Sequence, residues 1–175
     1  MSDQGSSIYA KTNELGVDLS QHGVLCVDDE SFMLHIVSTV MSKMLPGHLE
    51  RASSGQAALN ILSAMRDRIG LVVSDCNMKP INGLEFLKIV RSGGVPGVRR
   101  DLPFIMVTGH GDEPMVKQAI QMDVHGYCVK PVAPEKLAAA VQRAITQPID
   151  LKPALTYRSL KLVKPTTTPY GESKF

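Results

Sequence analysis

Between residues 23 and 147 the chain alternates short continuous apolar runs with longer segments whose apolar residues recur every three or four positions. The runs are Val24-Leu25-Cys26-Val27, Leu71-Val72-Val73, Phe104-Ile105-Met106-Val107 and Gly126-Tyr127-Cys128-Val129, with a weaker one over residues 48–53. Short runs bounded by Gly, Pro and acidic residues suit strands buried on both faces of a parallel sheet. Between them, Ser31 stands where a cap would open a first helix. Phe32, Ile36, Val40 and Met44 lie four apart there, with Met33, Val37 and Met41 beside them, predicting a wide inward stripe that Pro46-Gly47 ends. Ser54-Gly55 opens a second helix with Ala58, Ile61, Leu62 and Met65 inward. Leu84, Leu87 and Val90 mark a third after Gly83, stopping near Gly93-Gly94. A short fourth over residues 113–122 turns Met115, Ala119 and Met122 inward, and Pro134 starts a fifth bearing Leu137, Val141, Ala144 and Ile145. Five strands alternating with five helices predict an α/β fold, a doubly wound parallel sheet. Residues 1–22 read as an extension with a weak helical signal over 14–19, and residues 148–175 as a tail.

Four of the strand ends carry polar residues. They are Asp28-Asp29-Glu30, Asp75, Thr108-Gly109-His110-Gly111 and Lys130-Pro131. In open α/β sheets chemistry gathers at the carboxyl ends of the strands, and right-handed crossovers bring those ends to one edge. Alone, Asp75 reads equally well as a turn or helix-cap aspartate. The company of Asp28, Asp29, Thr108 and Lys130 changes that. Three carboxylates within a few ångströms repel and raise one another's pKa. A divalent cation resolves the repulsion, and ligation by carboxylates, a carbonyl and waters suits Mg²⁺, or Mn²⁺. Lys130 adds a mobile positive charge and Thr108 a hydroxyl that both donates and accepts. A carboxylate nucleophile, a metal, a lysine and a hydroxyl together predict a phosphoryl-transfer site.

Composition narrows the class. The formal net charge of +2 is too near neutral for a nucleic-acid binder driven by bulk charge. Cys26, Cys76 and Cys128 are odd in number and lack C-x-x-C spacing, which indicates neither a disulfide framework nor a zinc site. No apolar stretch is long enough to span a bilayer and the amino terminus has no signal-peptide apolar region, so a cytoplasmic chain without membrane insertion is expected.

With Val27-Asp28-Asp29-Glu30, Asp75-Cys76-Asn77-Met78, Gly83 eight residues beyond Asp75, Val107-Thr108-Gly109 and Val129-Lys130-Pro131, residues 23–147 resemble the receiver domain of two-component response regulators. The resemblance is to the single-domain chemotaxis type. It implies a flavodoxin-like sheet with strand order 2-1-3-4-5. It also implies that Asp75 accepts a phosphoryl group from a histidine kinase or histidine phosphotransfer protein. Asp28, Asp29, Asp75 and the backbone carbonyl of Asn77 would hold Mg²⁺, and Thr108 and Lys130 would bind the acyl-phosphate oxygens. Tyr127 matches the aromatic that swings inward with Thr108, and the Lys130–Pro131 bond is expected to be cis. The output face implied is that of helix 4, strand 5 and helix 5, with Lys117, Gln121, Tyr127, Lys136 and Gln142 meeting a target protein. One position departs: the family has proline four residues after the phosphorylated aspartate, where this chain has Lys79 followed by Pro80. The loop over the site is therefore expected to differ in shape and to carry an extra positive charge.

The expected function is that of a stand-alone response regulator signalling by phosphorylation-dependent protein contact. It is a switch that catalyses its own phosphoryl transfer and slow dephosphorylation, not an enzyme acting on a separate substrate. Two alternatives stay open. One is a phosphorelay shuttle handing the group to another histidine. The other is an aspartyl-phosphate phosphatase of the haloacid-dehalogenase type, which needs an acid two residues past the nucleophile, where this chain has Asn77. His35 reads as a surface histidine of the first helix and Cys76 as a packed thiol. His110 reads either as a site-flanking group that affects water access or as an exposed loop histidine. In the tail, Lys152, Arg158, Lys161, Lys164 and Lys174 face only Asp150 and Glu172, and Pro148, Pro153, Pro165 and Pro169 exclude a long helix. It is too short for a helix-turn-helix unit, so no DNA contact is expected. Residues 156–164 read either as part of a solvated tail or as a short strand or extended segment that docks an acidic partner.

Overall fold

Five parallel strands, β1 (Gly23–Val27), β2 (Leu49–Ala52), β3 (Ile69–Asp75), β4 (Phe104–Thr108) and β5 (Gly126–Val129), form one sheet in the order β2-β1-β3-β4-β5. The structure is a computed structural model and describes residues 19, 21–45, 47–109 and 113–164. Every residue of β1, β3 and β4 is buried, as a strand covered on both faces requires. Their side chains alternate between two cores. Leu25, Val27, Val72, Phe104 and Met106 point to one, and Val24, Cys26, Leu71, Val73, Ile105 and Val107 to the other.

The first core is covered by α2 (Gly55–Met65), α3 (Gly83–Arg91) and α4 (Glu113–Gln121), through residues such as Leu62, Leu87, Met115 and Ala119. The second is covered by α1 (Ser31–Met44) and α5 (Pro134–Thr146), through Val37, Met41, Leu137 and Val141. Helix boundaries follow local chemistry. The Ser54 hydroxyl accepts from the Ala57 N–H, and Asn82 and Glu85 form a reciprocal capping box at α3. Pro134 sits in the first turn of α5, where its missing N–H leaves no bond unmade.

Three expectations are corrected. Ser31 is the first helical residue of α1 and Glu30 is its N-cap, without a side-chain capping bond. The inward face of α1 centres on Val37, Ser38 and Met41, not on the row that starts at Phe32, whose side chain is 66% exposed. Ser38 can be buried there because its hydroxyl bonds the Leu34 carbonyl one turn back. Over residues 156–164 the tail is neither a free chain nor a strand, and its extended part, residues 160–164, docks on the receiver itself. It forms a sixth helix, α6 (Ala154–Ser159), followed by an extended run, and both lie against α3 and α4. Tyr157 is wholly buried in the first core, and Leu19, upstream of β1, is buried in the second. The helix expected over residues 14–19 lies outside the described residues except for Leu19. Among the described residues no helix is long and apolar enough to cross a membrane.

Candidate functional site

Sheet register sets the site. Val27 pairs with Ser74, Asp75 with Val107 and Thr108 with Val129, so Asp28, Asp75, Thr108 and Lys130 all fall in the last row of the sheet or one step past it. Backbone bonds extend the ladder across that row. The Asp28 N–H reaches Ala52 O at 3.1 Å, Cys76 N–H reaches Val107 O at 2.8 Å and Lys130 N–H reaches Thr108 O at 2.7 Å. On the far side of Asp75 the chain turns back so that the Gly83 N–H donates to Cys76 O at 2.9 Å. A side chain at Gly83 would run into the Asp75 carbonyl oxygen and come within 2.9 Å of Cys76 Cα, so only glycine lets α3 start this close to β3.

Carboxylate oxygens of Asp28, Asp29 and Asp75 lie within 4.8 Å of one another. Asp28 and Asp75 are buried while Asp29 is exposed, which leaves the group one open side. Lys130 Nζ stands between the two buried acids, 3.1 Å from Asp28 Oδ2 and 3.1 Å from Asp75 Oδ1. The second oxygen of Asp28 accepts from the Glu30 N–H at 2.9 Å, which fixes its orientation. Burial pushes the Asp75 carboxyl up, Lys130 opposes this, and Asp28 and Asp29 add to it, leaving a pKa of about 6. Burial alone would lower Lys130, but Asp75 and Asp28 outweigh it and hold the ammonium above its ordinary range. The lysine stays charged, and the acids around it remain incompletely neutralised.

Of the residues expected at the site, Asp28, Asp29, Asp75 and Lys130 are brought together. Thr108 is buried on the same edge, with its hydroxyl donating to the Gly109 carbonyl at 3.0 Å. Tyr127, on the edge strand β5, is 45% exposed. Asn77 is exposed in the loop after β3. His110 lies outside the described residues. His35 is exposed on α1, and the Cys76 thiol is buried 3.8 Å from Met115 Sδ. Lys79 and Pro80, the departure in the loop, are both exposed, and the bond joining them is cis, as is Lys130–Pro131. The second cis bond was expected; the first has no signal in the sequence beyond the X-Pro pair itself.

The model of the response regulator receiver domain matches residues 24–142. The chain belongs to this family. A chemotaxis protein CheY homolog of Campylobacter jejuni is 33% identical over 114 residues, covering 65% of this chain and 85% of that protein. The two-component response regulator ARR10 of Arabidopsis thaliana is 30% identical over 122 residues, which is 70% of this chain but only 21% of that protein's length. Among solved structures, the chemotaxis protein CheY4 of Vibrio cholerae is similar at 28% identity and a TM-score of 0.61, covering 71% of this chain and 98% of that one. A receiver domain protein from Clostridium thermocellum is similar at 25% identity and a TM-score of 0.64, covering 72% and 95%. Receiver domains are signalling switches of two-component systems that meet histidine kinases or phosphotransfer proteins. The acidic pocket of this receiver suits a hard divalent cation: its donors are all oxygen, and three carboxylates against one lysine leave negative charge to neutralise.

Proposed function

We propose that Asp75 is the phosphoacceptor of this receiver and that the chain signals by protein contact once Asp75 is loaded. The observation that carries this reading is Lys130 bridging two buried carboxylates at 3.1 Å each, beside the exposed third. An Asp75 oxygen attacks the phosphorus of a phosphohistidine on a kinase or phosphotransfer protein. The phosphorus–nitrogen bond breaks as the oxygen–phosphorus bond forms, and the imidazole leaves with a proton from solvent. Lys130, already held at Asp75 Oδ1, stays with the new acyl phosphate and offsets its charge. Thr108, whose hydroxyl now donates to Gly109 O, can rotate to donate to a phosphoryl oxygen. Asp28, Asp29 and Asp75, with the Asn77 backbone carbonyl, would hold Mg²⁺, which supplies charge neutralisation between the incoming phosphate and the acids.

The position two residues beyond Asp75 favours persistence of the acyl phosphate. Asn77 cannot carry the transferable proton that a haloacid-dehalogenase phosphatase requires there. A small-molecule phosphodonor with Mg²⁺ should therefore label the wild-type chain at one phosphoryl group, and Asp75→Asn should lose the label while keeping its fold. Full labelling of Asp75→Asn would remove the assignment.

A further inference from the structure

Residues 151–164 bind the outer side of α3 and α4 as a peptide ligand would. Tyr157 is wholly buried, and Leu151, Leu160, Leu162 and Val163 line up against the same core. Polar bonds fix the segment at both helices. On α3, Lys88 Nζ donates to Leu160 O at 2.7 Å, and beyond its end Arg158 donates to Ser92 O at 3.1 Å. On α4, the Gln118 amide takes the segment as a strand would, donating to Lys161 O at 2.6 Å and accepting from Val163 N–H at 2.7 Å. At the end of α4, Lys152 Nζ donates to Gln121 O at 3.0 Å and pairs with Asp123 just beyond, which also accepts from the Tyr157 hydroxyl at 2.6 Å.

The other end of α4 adjoins the acidic pocket. Met115 in its first turn touches Cys76, the residue after Asp75, and only four residues separate Thr108 from Glu113. One nine-residue helix thus joins the pocket to the tail. We propose that residues 151–164 are a strap that holds α4 in its unloaded position, so that loading of the pocket and docking of the strap oppose each other. This rests on Asp75 being the phosphoacceptor. A phosphoryl group on Asp75 adds bulk beside Cys76 and draws the Thr108 hydroxyl from the Gly109 carbonyl, and both changes act on the start of α4. Because the segment is also anchored at α3 through Lys88 and Ser92, a shift of α4 relative to α3 works against the Gln118 bonds. Coupling of this kind is reciprocal: the factor by which a docked strap weakens loading is the factor by which loading weakens docking.

The full-length chain tests this with beryllofluoride and Mg²⁺ as the phosphoryl mimic. Gln118→Ala, which removes two hydrogen bonds, and independently Leu162→Ala, which removes apolar packing, should each tighten mimic binding by roughly three- to tenfold. In the wild type, saturating mimic should speed hydrogen exchange at the Val163 amide by a similar factor. Unchanged exchange at Val163 under saturating mimic, or unchanged affinity in both variants, would overturn the strap while leaving Asp75 as the acceptor. Mimic binding that survives Asp75→Asn, or none in the wild type, would overturn the reading of Asp75 and the coupling with it.

Discussion

His125 shows how a single buried group ties acid sensitivity to this fold. Its Nδ1 receives the Phe104 backbone N–H at 3.1 Å and the Arg91 guanidinium at 3.2 Å, so that nitrogen must be an unprotonated acceptor. Burial, then the positive charge of Arg91, push its pKa from 6.5 down to about 4, against the weaker pull of Asp101 and Asp123. Unfolded chains take up the proton near pH 6.5 and the folded chain resists until about 4, so stability present above that window is lost as pH falls through it. The loss is on the order of 3 kcal/mol. Asp75 acts in the opposite sense, because its folded pKa is raised and protonation below about 6 favours the folded state. The difference between wild type and His125→Asn isolates the histidine, since Asp75 is common to both. Urea midpoints taken from pH 7 to 4 should fall less steeply in His125→Asn, whose side-chain oxygen still accepts from Phe104. Parallel slopes would assign the acid sensitivity elsewhere. At the pocket, Asp29→Asn should weaken Mg²⁺ binding, read by metal titration, because it removes one of three charges without disturbing the buried pair. An unchanged metal affinity would exclude Asp29 from the ligand set.

Among the elements, the start of α3 is the most constrained. Its capping box satisfies two otherwise orphan N–H groups, and Asn82→Ala should lower stability by about 1 kcal/mol in chemical denaturation. Gly83→Ala should do more, about 1–3 kcal/mol, because a methyl group there meets the backbone of Asp75 and Cys76, which cannot swing aside. It should also impair labelling of Asp75, whereas Asn82→Ala should not; equal labelling in the two variants would show that the close approach matters only for stability. These strand–helix junctions were legible in the sequence for a physical reason. Strands buried on both faces need apolar runs, and each pocket acid or lysine lies within two residues of the end of such a run, so strand order brings them together. The inward face of α1 was not legible. Its apolar residues nearly encircle the helix, and the buried Ser38 is invisible to hydrophobic periodicity because its hydroxyl is satisfied within the helix itself. The exposure of Tyr127 and the Thr108–Gly109 bond depend on neighbouring side chains and carry no pattern along the chain either.

Over the full described chain, the two cores differ in what closes them. Beneath α1 and α5 the elements of the alternating pattern suffice, with Leu19 added. On the other side the tail supplies Tyr157, and its contacts span 29 to 72 residues of sequence, from Lys152–Asp123 to Leu160–Lys88. Separation on that scale explains why local composition misread the segment: four prolines and five cations look like a solvated tail, yet Lys152, Arg158 and the Arg100 that holds Lys152 O all have partners on the receiver. A buried tyrosine bonded to Asp123 makes the segment part of the cooperative unit, so the tail should unfold with the sheet in one transition. Tyr157→Ala removes a fully buried aromatic and should cost about 3–5 kcal/mol of that shared stability. Trypsin offers a local readout, because Arg158 and Lys161 sit within the docked segment. In the native wild type their peptide bonds should be cut slowly, and Tyr157→Ala should accelerate cleavage there by tenfold or more before the strands are touched. Rapid clipping at Arg158 in the wild type, at the rate found for Tyr157→Ala, would show instead that the segment opens freely and that its buried tyrosine adds nothing to the fold.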